Sequence, residues 1–111
     1  MRSTTAQTSD GNIYVIGGVV SDEQGRQTSS AMRDCLKIDC NLEVSRQPQM
    51  QMARFDTPLA TVFERYIMVF GGKTSKVHGT KRCEAYDIRN EQWHNLAPIP
   101  FFCVNTAAVV I

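Results

Sequence analysis

Charge of one sign is what this sequence lacks first. Its 12 lysines and arginines stand against 11 aspartates and glutamates, a net of +1 over 111 residues, so no overall field draws the chain toward nucleic acid or an anionic membrane. Any charge preference must be local. Long apolar runs are missing too. The longest, IYVIGGVV and YIMVFGG, fall far short of the roughly 20 residues a membrane helix requires. The polar N-terminal stretch MRSTTAQTSDGN has no apolar core of a secretion signal. These absences give the expectation of a soluble, cytoplasmic chain with neither nucleic-acid nor membrane partners. No segment shows a sustained helical period, and 111 residues exclude a second full-sized domain.

Metal-ligand spacing is also absent. The cysteines are Cys35, Cys40, Cys83 and Cys103, with four residues between the first two and a long gap after them, and His78 and His94 lie singly. None of the common zinc patterns has that spacing. The thiols are expected to be small, buried apolar groups on strands, and neither a metal nor a cofactor is expected.

What the chain does have is a repeat. AQTSDGNIYVIGG (Ala6 to Gly18) aligns with ATVFERYIMVFGG (Ala60 to Gly72) at a spacing of 54 residues, Gly17 to Gly71, while CLKIDCNLE aligns with CEAYDIRNE at 48, Cys35 to Cys83. The difference of six falls wholly between the diglycine and the cysteine, so one loop is six residues longer in the first copy. A third copy begins at the C-terminus, where FFCVNTAAVV matches ARFDTPLATV at 48, Phe101 to Ala53.

Each copy reads as short strands. Ile13 to Ile16 and Tyr66 to Phe70 are β-branched and aromatic at successive positions, as in strands buried on both faces. Further strands are expected near Thr4 to Thr8, Cys35 to Asp39, Leu42 to Arg46, Leu59 to Phe63, Cys83 to Asp87, Gln92 to Asn95 and Val104 to Val110. The four prolines fall in connections or at strand starts, where a missing amide donor does least harm. The expected product is a four-stranded antiparallel meander repeated about every fifty residues.

The order diglycine, loop, AYD (Ala85 to Asp87), Trp93, then LAPIP (Leu96 to Pro100) resembles the kelch motif. The second copy is the fuller match, with Gly71, Gly72, Tyr86, Asp87 and Trp93, but has Phe102 where the motif usually has arginine. The first has Gly17, Gly18 and Arg54, with Ile38 for the tyrosine and Val44-Ser45 for the tryptophan. The resemblance implies an all-β, kelch-type β-propeller that is incomplete: one blade over residues 1–57, a second over 58–103, and the first strand of a third over 104–111. It also implies that the diglycine lets the second strand run close to neighbouring backbone, and that Tyr86 and Trp93 fill the wedge between blades. Two blades are fewer than the four to eight with which propellers typically close, so the expectation is a piece of a longer propeller, with self-association of copies as the alternative.

In such a meander the strand 2–3 loops and the inter-blade connections open on one face, where loops vary without touching the core. Arg26 of the first loop, Arg54 of the first connection, and Lys73, Lys76, His78, Lys81 and Arg82 of the second loop are the candidate partner-binding residues there. The second loop carries no acid between Lys73 and Arg82, which suits an acidic segment of a protein partner, although solubility alone can account for such a loop. Kelch propellers mostly serve as protein-binding scaffolds, so the resemblance implies a non-enzymatic interaction module. A kelch-like enzyme acting on sugars, an oxidase or a sialic-acid-processing enzyme, is the alternative, but His78, His94, Glu64 and Asp87 form no convergent catalytic set in the sequence.

Overall fold

The computed structural model describes residues 2–8, 10–20, 22–24, 26, 30–75 and 78–100. Within them the chain folds as two four-stranded antiparallel sheets of consecutive strands. The first holds β1 (Arg2–Gln7), β2 (Ile13–Val19), β3 (Cys35–Ile38) and β4 (Val44–Gln47); the second holds β5 (Leu59–Val62), β6 (Tyr66–Phe70), β7 (Cys83–Asp87) and β8 (Gln92–Leu96). The expected third-blade strand at 104–111 lies outside the described residues. No helix among the described residues is long and apolar enough to cross a membrane.

The strands expected to reach Thr8 and Asp39 end at Gln7 and Ile38, and two further corrections fall at residues inside turns. Leu42 was expected to open the fourth strand and Phe63 to close the fifth. Both adopt left-handed backbone, with φ of 64° and 52°, and both are highly exposed. Apolar residues rarely take that conformation, so their side chains gave no local warning. An aspartate marks the Leu42 turn better, since Asp39 Oδ1 accepts from the amides of Asn41 and Glu43, and Asp87 Oδ1 does the same for Arg89 and Asn90 in the equivalent turn between β7 and β8. Asx-type bonds of this kind give a turn its own internal acceptors. Cys40 also sits in such a turn and is exposed, whereas Cys35 and Cys83 are buried on strands; all three are free thiols. The expectation of a buried strand thiol therefore fails at Cys40, and Cys103 lies outside the described residues.

The two blades repeat each other bond for bond at the loop end. Gly17 N donates to Asp34 O as Gly71 N does to Arg82 O, Met32 N to Gly18 O as Thr80 N to Gly72 O, and Met50 N to Arg33 O as Ile99 N to Lys81 O. Between β3 and β4 the first blade is one residue shorter: Ile38 pairs with Val44, whereas Tyr86 pairs with Trp93. Val44, not Ser45, therefore occupies the tryptophan position, and from there the repeat runs at 49 residues, Met50 to Ile99.

The core lies in the seam between the sheets. Ala6, Tyr14, Ile16, Cys35 and Met50 of the first blade pack with Ile67, Val69, Tyr86 and Trp93 of the second. Tyr86 is the centre of an aromatic row, 6.1 Å from Tyr14 and 5.0 Å from Trp93 between ring centroids. Both polar tips cross the seam: Tyr86 donates to Gln47 Oε1 at 2.7 Å, and Trp93 Nε1 donates to the Pro48 carbonyl at 2.7 Å. Buried aromatics with satisfied polar ends combine apolar area with orientation.

The diglycines answer to the same seam. A Cβ on Gly17 would lie 2.3 Å from the Arg54 carbonyl oxygen, and one on Gly72 would lie 2.7 Å from Thr57 Cβ and 3.0 Å from the Phe55 carbonyl oxygen. Both glycines also have positive φ, 62° and 93°. Steric room and backbone conformation thus exclude side chains independently. The neighbouring backbone is the connection from β4 to β5, which threads between the blades.

Candidate functional site

The loop end is assembled around that connection. Gly18 N donates to Arg54 O, while Phe55 and Lys73 exchange both backbone bonds, at 2.9 and 2.8 Å. Lys73 also bridges to Gly79, and Thr74 N donates to His78 O. The second loop is therefore a short hairpin clamped to the connection rather than a free excursion.

This placement separates the candidate residues. Lys81, Arg82 and His78 are exposed on or just after the hairpin. Lys73 is half-buried, with its ammonium 3.9 Å from Asp56 of the connection; the acid missing from the loop itself is supplied by its neighbour. Lys76 lies outside the described residues. Arg26 is engaged within its own loop, its Nε 3.0 Å from Asp22 Oδ2 and its amide on Asp22 Oδ1. Nothing in the described geometry draws Arg26 toward the second loop.

Arg54 is a correction. Expected at the partner surface, it is fully buried, with Nη2 2.7 Å from Glu84 Oε2 and Nη1 donating to the carbonyls of Gly71 and Arg82 at 3.0 and 2.8 Å. Glu84 completes the knot by accepting from the amides of Gln51 and Met52. Burial pulls the Arg54 pKa below its ordinary value, opposed by the attraction of Glu84; an arginine so paired stays charged at any ordinary pH. Its Nε alone lacks a partner. This group locks blade to blade and is closed to any ligand.

Glu84 went unnoticed in the sequence. No local signal marked it: only the structure shows that CEAYD is buried along its whole length, and it is that burial which makes the acid require a buried cation. Asp87 is likewise structural. Burial works against its charge, but Arg65, Asn90 and the turn amides outweigh that and hold the carboxyl below its ordinary value. Arg65 in turn lies over the Tyr66 ring at 5.0 Å. Among the described residues, no group of three His, Cys, Asp or Glu side chains could hold a metal ion.

Comparison with known proteins agrees with this architecture. The family model of the kelch motif matches residues 58–100, the second blade. A search of curated proteins by sequence finds no match. Among solved structures, the one titled "Structure of YjhT" superposes with a TM-score of 0.72 at 15% identity, covering 90% of this chain and 38% of that one. The likeness is one of fold, and the chain spans well under half of that structure's length. The two sheets of identical topology, the motif match in the second sheet and the superposition lead to one conclusion: residues 58–100 carry a kelch motif, and the chain has the fold of two consecutive four-stranded propeller blades.

Proposed function

We propose that the chain is a non-enzymatic protein-interaction module whose loop end binds an acidic segment of a protein partner. The observation that supports this reading is the second-loop hairpin. Its backbone is clamped to the connection at Phe55, while His78, Lys81 and Arg82 project into solvent. A rigid base that presents exposed cations loses little conformational freedom on binding. Arg82 shows the division of labour, since its carbonyl is held by the buried Arg54 and its side chain is exposed.

The test is titration of a fluorescent glutamate-rich peptide, with a neutral peptide of equal length as control. Binding should weaken with salt and disappear in the variant with Lys73, Lys76, Lys81 and Arg82 all changed to Ser. Equal binding by that variant, or by the neutral peptide, would overturn the reading. Turnover of sugar substrates by the purified chain would instead favour the enzyme alternative.

A further inference from the structure

The end of the two sheets opposite the loop end carries two apolar side chains that the fold leaves outside. Phe63 and Leu42 are 89% and 82% exposed, and neither belongs to the seam core. Phe63 lies in the turn from β5 to β6, and Leu42 in the turn from β3 to β4. The β4–β5 connection ties the blades together at the loop end, so both turns stand at the other end of the strands. Blade packs on blade through the sheet faces, Tyr14, Ile16 and Cys35 against Ile67, Val69 and Tyr86. A blade before or after this stretch of chain would meet those faces and not the turn tips.

Both residues also sit on backbone that suits them poorly. Arg65 N donates to Val62 O at 3.0 Å, and the central pair of that turn, Phe63 and Glu64, has φ of 52° and 53°. Positive φ at both central positions marks a type I′ turn, for which Asn-Gly is the favoured pair. The first blade makes its equivalent connection, from β1 to β2, with Gly11 at positive φ, 89°, and polar Asp10 beside it. In the β7–β8 turn, Glu91 stands where Leu42 stands in the first blade, on the same left-handed backbone with φ of 54°. The turns themselves therefore demand neither phenylalanine nor leucine. Left-handed backbone under such side chains is costly, and strain of this kind concentrates at binding sites.

Each apolar residue is followed by an exposed glutamate, Leu42 by Glu43 and Phe63 by Glu64, and Asp10 and Glu91 are exposed at the same end. Of the described cations at or beside these turns, Arg65 is tied to Asp87, Lys37 is half-buried and Arg89 is exposed. We infer that this turn end is a docking surface for a partner segment in which lysines or arginines alternate with apolar side chains. The apolar residues of that segment cover Phe63 and Leu42, and its cations meet the neighbouring glutamates. The surface is distinct from the loop end, so the inference stands apart from the binding of an acidic segment.

The experiment titrates the purified chain with a fluorescein-labelled peptide of alternating lysine and leucine, with a lysine and serine peptide of equal length as control. The leucine-bearing peptide should bind at least about tenfold more tightly than the control. Asparagine tolerates left-handed backbone, so the variant carrying Leu42→Asn and Phe63→Asn should keep or raise the thermal midpoint while losing that preference for leucine. Glu43→Gln with Glu64→Gln should weaken the binding of both peptides. The variant with Lys73, Lys76, Lys81 and Arg82 changed to Ser should bind the leucine-bearing peptide as the wild type does. Equal binding of the two peptides by the wild type, or no binding of either, overturns the inference. So does a preference for leucine that survives in the asparagine variant or is lost in the serine variant. A midpoint of the asparagine variant below that of the wild type also overturns it, since the fold itself would then hold the two apolar side chains.

Discussion

The Arg54 guanidinium meets the Glu84 carboxylate at 2.7 Å, both fully buried, with Arg54 on the exit from one blade and Glu84 on the third strand of the next. Thirty residues separate them in sequence, and their pairing decides how the two blades fit. Removing the carboxylate alone leaves a buried charge, so Glu84→Leu should lower stability by about 3–5 kcal/mol. Arg54→Leu should also destabilise. The double variant should lose less than the sum of the two, because the charge is gone, though the amides of Gln51 and Met52 still lose their acceptor. Urea unfolding of the three variants measures the coupling.

Alanine at Gly17 or Gly72 meets two penalties, a positive φ and a steric clash, and should cost about 1–3 kcal/mol or more. Gly11→Ala separates them. Its φ is also positive, at 89°, but its added Cβ would have no neighbour nearer than 3.6 Å. Thermal unfolding should therefore rank Gly11→Ala as the mildest of the three.

Trp93→Phe keeps most of the aromatic area and deletes the bond to the Pro48 carbonyl. The expected loss is about 0.5–1.5 kcal/mol for that hydrogen bond, with any packing cost added to it. Trp93→Ala should cost about 3–5 kcal/mol. Denaturant midpoints give both values, and a Trp93→Phe loss as large as that of Trp93→Ala would show that the bond, not the ring, holds the seam.

Asp87 predicts an acid-sensitive turn. Its folded pKa lies below the ordinary value of 3.8, so its contribution to stability is complete above that value and is lost as pH falls through the lower folded one. Asp87→Asn should therefore be less stable than wild type near neutral pH, and the gap should narrow at about pH 3. Paired urea titrations at the two pH values check the sign.

The thiols should divide by place. Burial pushes Cys35 up to about 12, so it should resist alkylation until the blade unfolds, whereas exposed Cys40 should react in the native chain. Peptide mapping after a timed pulse of iodoacetamide distinguishes them.

The blade architecture was legible in the sequence because a repeat reports itself twice. Gly17-Gly18 and Gly71-Gly72 and the aspartates at 39 and 87 are local features present in both copies, and the six-residue loop difference follows from setting the copies side by side. The turn residues Leu42 and Phe63 were not, since their left-handed backbone is imposed by the turn and leaves no trace in an apolar side chain. Arg54 was misplaced for a deeper reason. Its role depends on an acid in another blade, and the first copy, with Leu36 at the equivalent position, offered no second instance to compare. The cations of the second loop could be read as a group, but their attachment to Phe55 and the neutralising approach of Asp56 belong to tertiary structure.

The connection through Arg54 and Phe55 has a further consequence for how the chain comes apart. These two consecutive residues hydrogen-bond to Gly18 of the first blade and to Gly71, Lys73, Arg82 and Glu84 of the second. Neither blade can open its loop end without breaking bonds held by the same short segment. The pair should exchange its protected amides as one cooperative unit instead of as two independent repeats, and a tug on the Lys73 hairpin would be felt first at the seam.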